Sequence, residues 1–211
     1  MAASDLEFLK VTGEREDLNQ YWYSAASIQA VVGAVAQLDC RTAFLSTPSI
    51  YFCLPKELRA KCMVFDFDKQ WKDDPGFVFY DFNDPTEFPE ELLHTFDAVV
   101  IDPPFITREV WEKYTATAKA LLREDPTVPV DEAEGEEGKD GGEEEQLSAR
   151  GNLVIATTIH ENAEFMGELL GVQPTAWQPS IPNLVYQYDL YANFPSERFA
   201  EKNPEIPSWD D

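Results

Sequence analysis

Basic residues are scarce in this chain. Its 211 residues include 16 Lys and Arg against 40 Asp and Glu, which gives a formal net charge of −24. A protein that binds a nucleic-acid backbone neutralises phosphates with clustered Lys and Arg. The composition therefore argues against a nucleic-acid partner and favours a partner of opposite charge, such as a basic protein.

Cysteines and long apolar runs are also few. The three cysteines, Cys40, Cys53 and Cys62, are odd in number and form no C-x-x-C pair, so they indicate neither a disulfide framework nor a zinc site. No apolar run approaches the roughly 20 residues that span a membrane. Residues 1–10 also lack the basic and apolar regions of a secretion signal. We therefore predict a protein of the reducing cytoplasm, with no metal site and no membrane contact.

The rest of the composition is that of a folded domain, with 44% hydrophobic and 13% aromatic residues. The length predicts a single domain at residues 18–194, between flexible tails at residues 1–17 and 195–211. Residues 124–149 contain eleven acidic residues and one lysine, a net charge of −10. Because glycines are interspersed among these acids, we predict a disordered acidic insert there.

The most informative stretch is residues 96–105. Four apolar residues run directly into Asp102-Pro103-Pro104-Phe105, which predicts a strand buried on both faces that stops at a polar and aromatic tip. The prolines have no N–H group to continue the strand, so carbonyl groups are left facing outward beside the Asp102 carboxylate. Such acceptors suit a nitrogen nucleophile, and Phe105 offers a flat face to the group that carries it. The alternative is a strand that merely ends in a Pro-Pro loop.

Three earlier strands are predicted, and each ends in polar side chains. Residues 41–47 end at Ser46 and Thr47, residues 61–68 at Asp66 and Asp68, and residues 76–83 at Asp81 and Phe82. Ligands of doubly wound sheets bind at the carboxyl ends of the strands, where a carboxylate can accept both ribose hydroxyls of a nucleoside. Asp66 is the first candidate for that role and Asp68 the second. The alternative is a set of solvated strand ends.

Helices and strands alternate along the chain until two strands come together at the end. Ser24 and Thr107 are predicted to cap helices, and residues 160–170 form another helix closed by Gly171. A fifth buried strand is predicted at residues 151–158, and the last two at residues 176–178 and 185–191. This order predicts an α/β fold, a mostly parallel Rossmann-like sheet that finishes in an antiparallel hairpin.

The motif Asp102-Pro103-Pro104-Phe105 resembles the [Asn/Asp]-Pro-Pro-[aromatic] motif of amino-group methyltransferases that use S-adenosylmethionine. From residue 18 to residue 194 the chain is similar to eukaryotic lysine methyltransferases of elongation factor 1-alpha, a branch once described as adenine-N6 DNA methyltransferases. Five segments carry this similarity in the expected order: residues 20–24, 46–51, 65–69, 79–83 and 96–105.

The resemblance implies a seven-stranded methyltransferase sheet, S-adenosylmethionine as cofactor and elongation factor 1-alpha as the protein substrate. The implied catalytic residues are Asp102, Pro103, Pro104 and Phe105. The implied cofactor contacts are Ser46, Thr47, Asp66, Asp68, Asp81, Phe82 and Asp102, with Asp81 and Phe82 at the adenine. The implied substrate contacts are Trp22, Tyr23 and Phe105. Trp22 and Tyr23 would lie in an aromatic lid over cofactor and substrate. The alternative is that these aromatics form a hydrophobic staple before the first helix.

Asp102 is expected to orient the lysine ammonium and to accept or relay its proton. Most S-adenosylmethionine enzymes have glycines in the turn after the first strand, whereas this chain has Pro48 and Ser49, as the related lysine methyltransferases do. Two other functions stay open. The first is an adenine-N6 methyltransferase of nucleic acid, which the charge opposes, and the second is a non-catalytic binding module of the same fold.

Overall fold

A computed structural model describes residues 6–124 and 152–207 of the chain. Its strands are β1 (Thr42–Leu45), β2 (Met63–Asp66), β3 (Phe77–Phe79), β4 (Ala98–Ile101), β5 (Leu153–Ile159), β6 (Gln173–Pro174) and β7 (Tyr188–Ala192). Its α-helices are α1 (Phe8–Val11), α2 (Ala25–Leu38), α3 (Pro48–Tyr51), α4 (Lys56–Arg59), α5 (Arg108–Leu121) and α6 (Ala163–Leu170). No helix among these residues is both long enough and apolar enough to cross a membrane.

The seven strands form one sheet in the order β3-β2-β1-β4-β5-β7-β6. Strands β1 to β5 pair in parallel, and β7 runs antiparallel to both β5 and β6. Every residue of β1 and β4 is buried, as expected where helices cover both faces of a parallel sheet. The predicted Rossmann-like sheet with an antiparallel end is confirmed.

Local signals set the helix ends. The Ser24 side chain accepts the backbone N–H of Ser27 at the start of α2, and Thr107 accepts that of Val110 at the start of α5. Gly171 closes α6 with a left-handed φ of 66°, a conformation that costs glycine little. The three predicted helix signals are confirmed, although residues 160–162 form a 3₁₀ turn before α6 begins.

The predicted bounds of the last two strands were wrong. Residues 176–178 are not a strand: the Trp177 N–H donates to the carbonyl of Phe199 rather than to a neighbouring strand. Val185 and Tyr186 are 89% and 59% exposed and precede β7. The alternation of apolar and polar residues therefore begins before β7 does, in residues that are not part of the sheet.

The described parts of both predicted tails, residues 6–17 and 195–207, contain side chains that pack against the domain. Phe8 is 8% exposed and stacks on Phe52 with 5.6 Å between ring centroids, while Phe199 is 3% exposed. Burial of such a ring contributes about 1.5–3 kcal/mol, enough to hold a short segment in place. Residues 1–5 and 208–211, and the predicted insert beyond Glu124, lie outside the described residues.

Candidate active site

The candidate site is a cleft at the carboxyl ends of the central strands. From β1 the strand order runs through β2 and β3 toward one edge of the sheet, whereas from β4 it runs through β5 toward the other edge. A ligand crevice is expected where the strand order reverses in this way. The cleft is lined there by residues 18–23, by the turn after β1, by Asp66 and by residues 102–104.

Asp102 lies at the mouth of this crevice, immediately after β4. Its backbone N–H donates to the Leu45 carbonyl of β1 at 3.2 Å, and its Oδ2 accepts the Tyr23 hydroxyl at 2.5 Å. That hydroxyl is also 2.5 Å from Oγ1 of Thr157. Burial raises the pKa of the Asp102 carboxyl to about 7, although hydrogen bonds from Tyr23 and Thr157 act to lower it. Asp102 can therefore both hold and release a proton near neutral pH.

The two prolines place one carbonyl each beside this carboxyl group. The Pro104 carbonyl accepts the side-chain amide of Asn19, whereas the Pro103 carbonyl has no hydrogen-bond partner among residues 6–124 and 152–207. Asn19 itself has a left-handed φ of 52°, which Asn tolerates better than most residues. The residue 18–23 segment is thus bonded to the motif at both of its ends, through Asn19 and through Tyr23.

The aromatic candidates differ in how free they are. Phe105 is 51% exposed and meets Phe82 edge to face at 6.2 Å, so its ring is open to a partner. Trp22 is 7% exposed, packs against Phe8, and donates its indole N–H to the Thr12 carbonyl at 3.1 Å. Trp22 therefore lines the cleft while also anchoring the N-terminal segment to the domain.

The turn after β1 is held in an unusual conformation. Ser46 has a left-handed φ of 55°, and its hydroxyl is 2.6 Å from the Tyr114 hydroxyl of α5. Non-glycine residues at positive φ are uncommon and cluster at functional sites. The adjacent Thr47 is 1% exposed, does not line the cleft, and has an Oγ1 without a partner in the described structure.

The structure separates the two carboxylates after β2. Asp66 lines the cleft and is 6% exposed; one of its oxygens accepts the Asp68 N–H at 2.8 Å, and the other has no partner among the described residues. Burial, followed by the nearby Asp68 charge, raises the pKa of Asp66 to about 7. Asp68 instead caps the 3₁₀ turn Lys69–Trp71 and lies 3.7 Å from Arg15. Only Asp66 is placed to receive a ligand in the cleft.

Asp81 and Phe82 lie one strand farther out. Asp81 accepts the backbone N–H of Asn83 at 2.9 Å and so stabilises a turn outside the cleft. Phe82 stacks on Tyr114, with 6.0 Å between ring centroids, and reaches toward Phe105. Phe82 is therefore nearer to the motif than Asp81 is.

Three residues of this site, Thr157, Tyr114 and Asn19, were not predicted from the sequence. Thr157 is one residue of a buried strand and Tyr114 one of the apolar positions of α5. Neither carries a local signal, since only the folded sheet brings their hydroxyl groups to Tyr23 and Ser46.

Known proteins resemble most of the chain. A family described as "Probable N6-adenine methyltransferase" matches residues 14–196. The human "EEF1A lysine methyltransferase 1" is 30% identical over 87% of this chain and 76% of its own length. A protein-lysine N-methyltransferase of Caenorhabditis elegans is 30% identical over 87% of the chain and 79% of its own length. "Protein-lysine N-methyltransferase EFM5" of Saccharomyces cerevisiae is 32% identical over 55% of the chain and 51% of its own length.

Proposed function

The chain belongs to this methyltransferase family, and from that premise we propose that it transfers a methyl group from S-adenosylmethionine to a lysine of translation elongation factor 1-alpha. The enzyme is a protein-lysine N-methyltransferase, as the names of its relatives indicate. The proposal for the site is supported above all by the Asp102 carboxyl, whose pKa is raised to about 7, in the cleft where the strand order reverses. Beside it lies the Pro103 carbonyl, which accepts no hydrogen bond from the residues that the structure describes.

The residues of the cleft suit S-adenosylmethionine. The free oxygen of Asp66 is an acceptor for the ribose hydroxyls, and the left-handed turn at Ser46 opens the end of β1 to the methionine part. When bound, S-adenosylmethionine supplies an activated methyl group on its sulfonium. Phe82, stacked on Tyr114, is our candidate for the adenine face, whereas Asp68 and Asp81 accept hydrogen bonds within their own turns.

Asp102 and Pro103 provide two acceptors for a substrate ammonium. A lysine must lose a proton before its nitrogen can attack, and its reference pKa is about 10.4. With an Asp102 pKa of about 7, transfer of that proton to the carboxyl costs roughly 5 kcal/mol. Removal of the ammonium from water lowers its pKa and narrows this gap. The enzyme's contribution is therefore to orient the amine, hold its proton on Asp102 and exclude water.

Phe105 and the cleft wall can enclose the carbon chain of the lysine. The exposed ring of Phe105 directly follows Pro104, which lines the cleft, and Trp22 lines the cleft as well. These apolar surfaces suit the four-carbon stem of lysine, which packs readily against aromatic faces.

The charge and the cysteines support the proposed partner and location. A net charge of −24 favours encounter with a basic protein surface. Cys40, Cys53 and Cys62 are all buried, and their odd number and spacing favour the reducing cytoplasm that we propose.

An adenine acceptor is not favoured. The Asp-Pro-Pro-Phe motif could hold an adenine amino group equally well, but the chain lacks the excess of Lys and Arg that binding to a phosphate backbone needs. The relatives compared above are named for lysine.

The test is transfer of labelled methyl from S-adenosylmethionine into a cell extract that lacks the endogenous enzyme. The product is divided between protease and nuclease digestion. We expect protease to release the label and nuclease to leave it in a band of elongation-factor size. Label released by nuclease would make adenine the acceptor and would overturn the proposal.

A further inference from the structure

Two hydroxyl groups lie in a line behind the Asp102 carboxyl. The Tyr23 hydroxyl is 2.5 Å from Asp102 Oδ2 and 2.5 Å from Thr157 Oγ1. Tyr23 precedes α2 and Thr157 lies in the middle of β5, and their side chains are 3% and 4% exposed. The three groups come from separate parts of the chain, so the line exists only in the folded domain.

The Tyr23 hydroxyl can donate one hydrogen bond while it accepts another. With Asp102 ionised, Thr157 donates to the Tyr23 oxygen and Tyr23 donates to Oδ2 of the carboxylate. A proton taken up from a substrate amine arrives on the other carboxyl oxygen, so Oδ2 remains an acceptor and both hydrogen bonds are retained.

We propose that Tyr23 and Thr157 are a positioning pair, which holds Oδ2 of Asp102 by a donated hydrogen bond and so leaves the other carboxyl oxygen free to face the substrate amine and take up its proton. The proposal rests on the function proposed above. It also changes the implied role of Tyr23, because a hydroxyl that is bonded on both sides acts on the substrate through Asp102.

The other titratable groups near Asp102 do not offer the same support. Tyr114 of α5 and Tyr188 of β7 interact with it electrostatically, and no Lys, Arg or His within the described ranges forms an ion pair with it. Burial raises the pKa of both tyrosines, so they stay neutral over the working pH range. The hydroxyls of Tyr23 and Thr157 are thus the groups whose hydrogen bonds favour the ionised carboxyl.

The test is the pH profile of kcat/KM for Tyr23→Phe. Since a hydrogen bond to a charged group stabilises the ionised form, its loss should move the acidic limb upward by roughly one to two pH units. Activity at neutral pH should fall by about 10- to 100-fold and recover at higher pH, while the dissociation constant for S-adenosylmethionine stays within about twofold. Thr157→Val should shift the limb in the same direction by less, because it removes the hydroxyl that bonds to Tyr23 and that also lowers the pKa of Asp102, less than Tyr23 does.

The matched control is Tyr80→Phe. Tyr80 is also buried, and its hydroxyl is 2.7 Å from Thr117 Oγ1, so this change removes a similar buried Tyr–Thr pair away from Asp102. It should lower stability and leave the acidic limb in place. An unmoved acidic limb in Tyr23→Phe would overturn the proposal and leave Tyr23 as a wall of the cleft.

A second readout separates this proposal from the proposed function. Carbon NMR of the Asp102 carboxyl follows its titration without any turnover. An upward shift in Tyr23→Phe supports the pair even if the enzyme methylates another acceptor. An unchanged titration rejects the pair even if lysine methylation is confirmed.

Discussion

Replacement of Asp66 by Asn should weaken cofactor binding and stabilise the fold at the same time. The Asp66 side chain is 6% exposed after β2, and burial raises its pKa to about 7. Ionisation of this carboxyl therefore lowers the stability of the protein without cofactor. The oxygen of Asp66 that has no partner among the described residues is the acceptor that we assign to the ribose hydroxyls.

The gain in stability follows from the pKa. Asp66 takes up its proton more readily in the folded chain, with a pKa of about 7, than in the unfolded chain, near 3.9. The folded state is therefore favoured at low pH, and this contribution is lost as the pH rises from about 4 through 7. At pH 8 the ionised group costs at most ~4 kcal/mol. Because Asn has no charge, we expect Asp66→Asn to gain about 1–3 kcal/mol there, visible as a higher Tm.

The loss in binding follows from the hydrogen bonds. A bond to a charged acceptor contributes about 1.5–3 kcal/mol, and Asn keeps one neutral acceptor in the same place. We therefore expect the dissociation constant for S-adenosylmethionine to rise roughly 10- to 150-fold. Since the ribose hydroxyls favour the ionised group, wild-type affinity should fall below pH 7, and the variant should lose this pH dependence.

Isothermal titration calorimetry and urea unfolding between pH 5 and pH 8 measure both effects. The matched control is Asp68→Asn, which keeps an oxygen that can cap the 3₁₀ turn Lys69–Trp71 and removes the negative charge that faces Arg15. It should cost up to about 1 kcal/mol of stability and change affinity less than about threefold. If Asp68→Asn weakened binding more than Asp66→Asn, our choice between the two carboxylates would be refuted.

Two further changes test the packing around the site. Tyr114→Phe removes the hydroxyl that bonds to the left-handed Ser46, so the affinity for S-adenosylmethionine should fall about fivefold in calorimetry. Adding Ser46→Gly to this variant should restore part of the lost affinity. An unchanged affinity in Tyr114→Phe would show that the turn does not need this hydrogen bond. Gly76→Ala would make a Cβ overlap the Tyr51 hydroxyl and place it 3.1 Å from the Cys62 carbonyl. This should cost about 1–3 kcal/mol in urea unfolding, and wild-type stability would contradict this account of the β2–β3 edge.

The features that sequence predicted are those with a local cause. The apolar run of β4 stops at Asp102 because two prolines follow, and Asp66 follows β2 directly. The carboxyl ends of parallel strands meet at one edge of the sheet, so the sequence places both carboxylates at the same site. The caps at Ser24 and Thr107 were likewise readable from the residues that precede each helix.

The rest depends on contacts between distant parts of the chain. Tyr23 and Thr157 are 134 positions apart and meet because β5 lies beside β4. Phe8 lacks any periodic pattern around it and is fixed by rings from elsewhere, among them Phe52. The bounds of β7 likewise depend on where β5 pairs with it, which the alternation of residues 185–191 does not indicate.

The central claim is that the Asp102 cleft methylates a lysine of elongation factor 1-alpha, and peptide mass spectrometry tests it most directly. Purified elongation factor 1-alpha is incubated with saturating S-adenosylmethionine and either the wild-type enzyme or Asp102→Ala. The account predicts added methyl on a lysine with the wild type and at least about 100-fold slower methylation with Asp102→Ala, because general acid–base and orienting roles contribute effects of this size. Normal turnover by Asp102→Ala, or an unmodified substrate with the wild type, would contradict it.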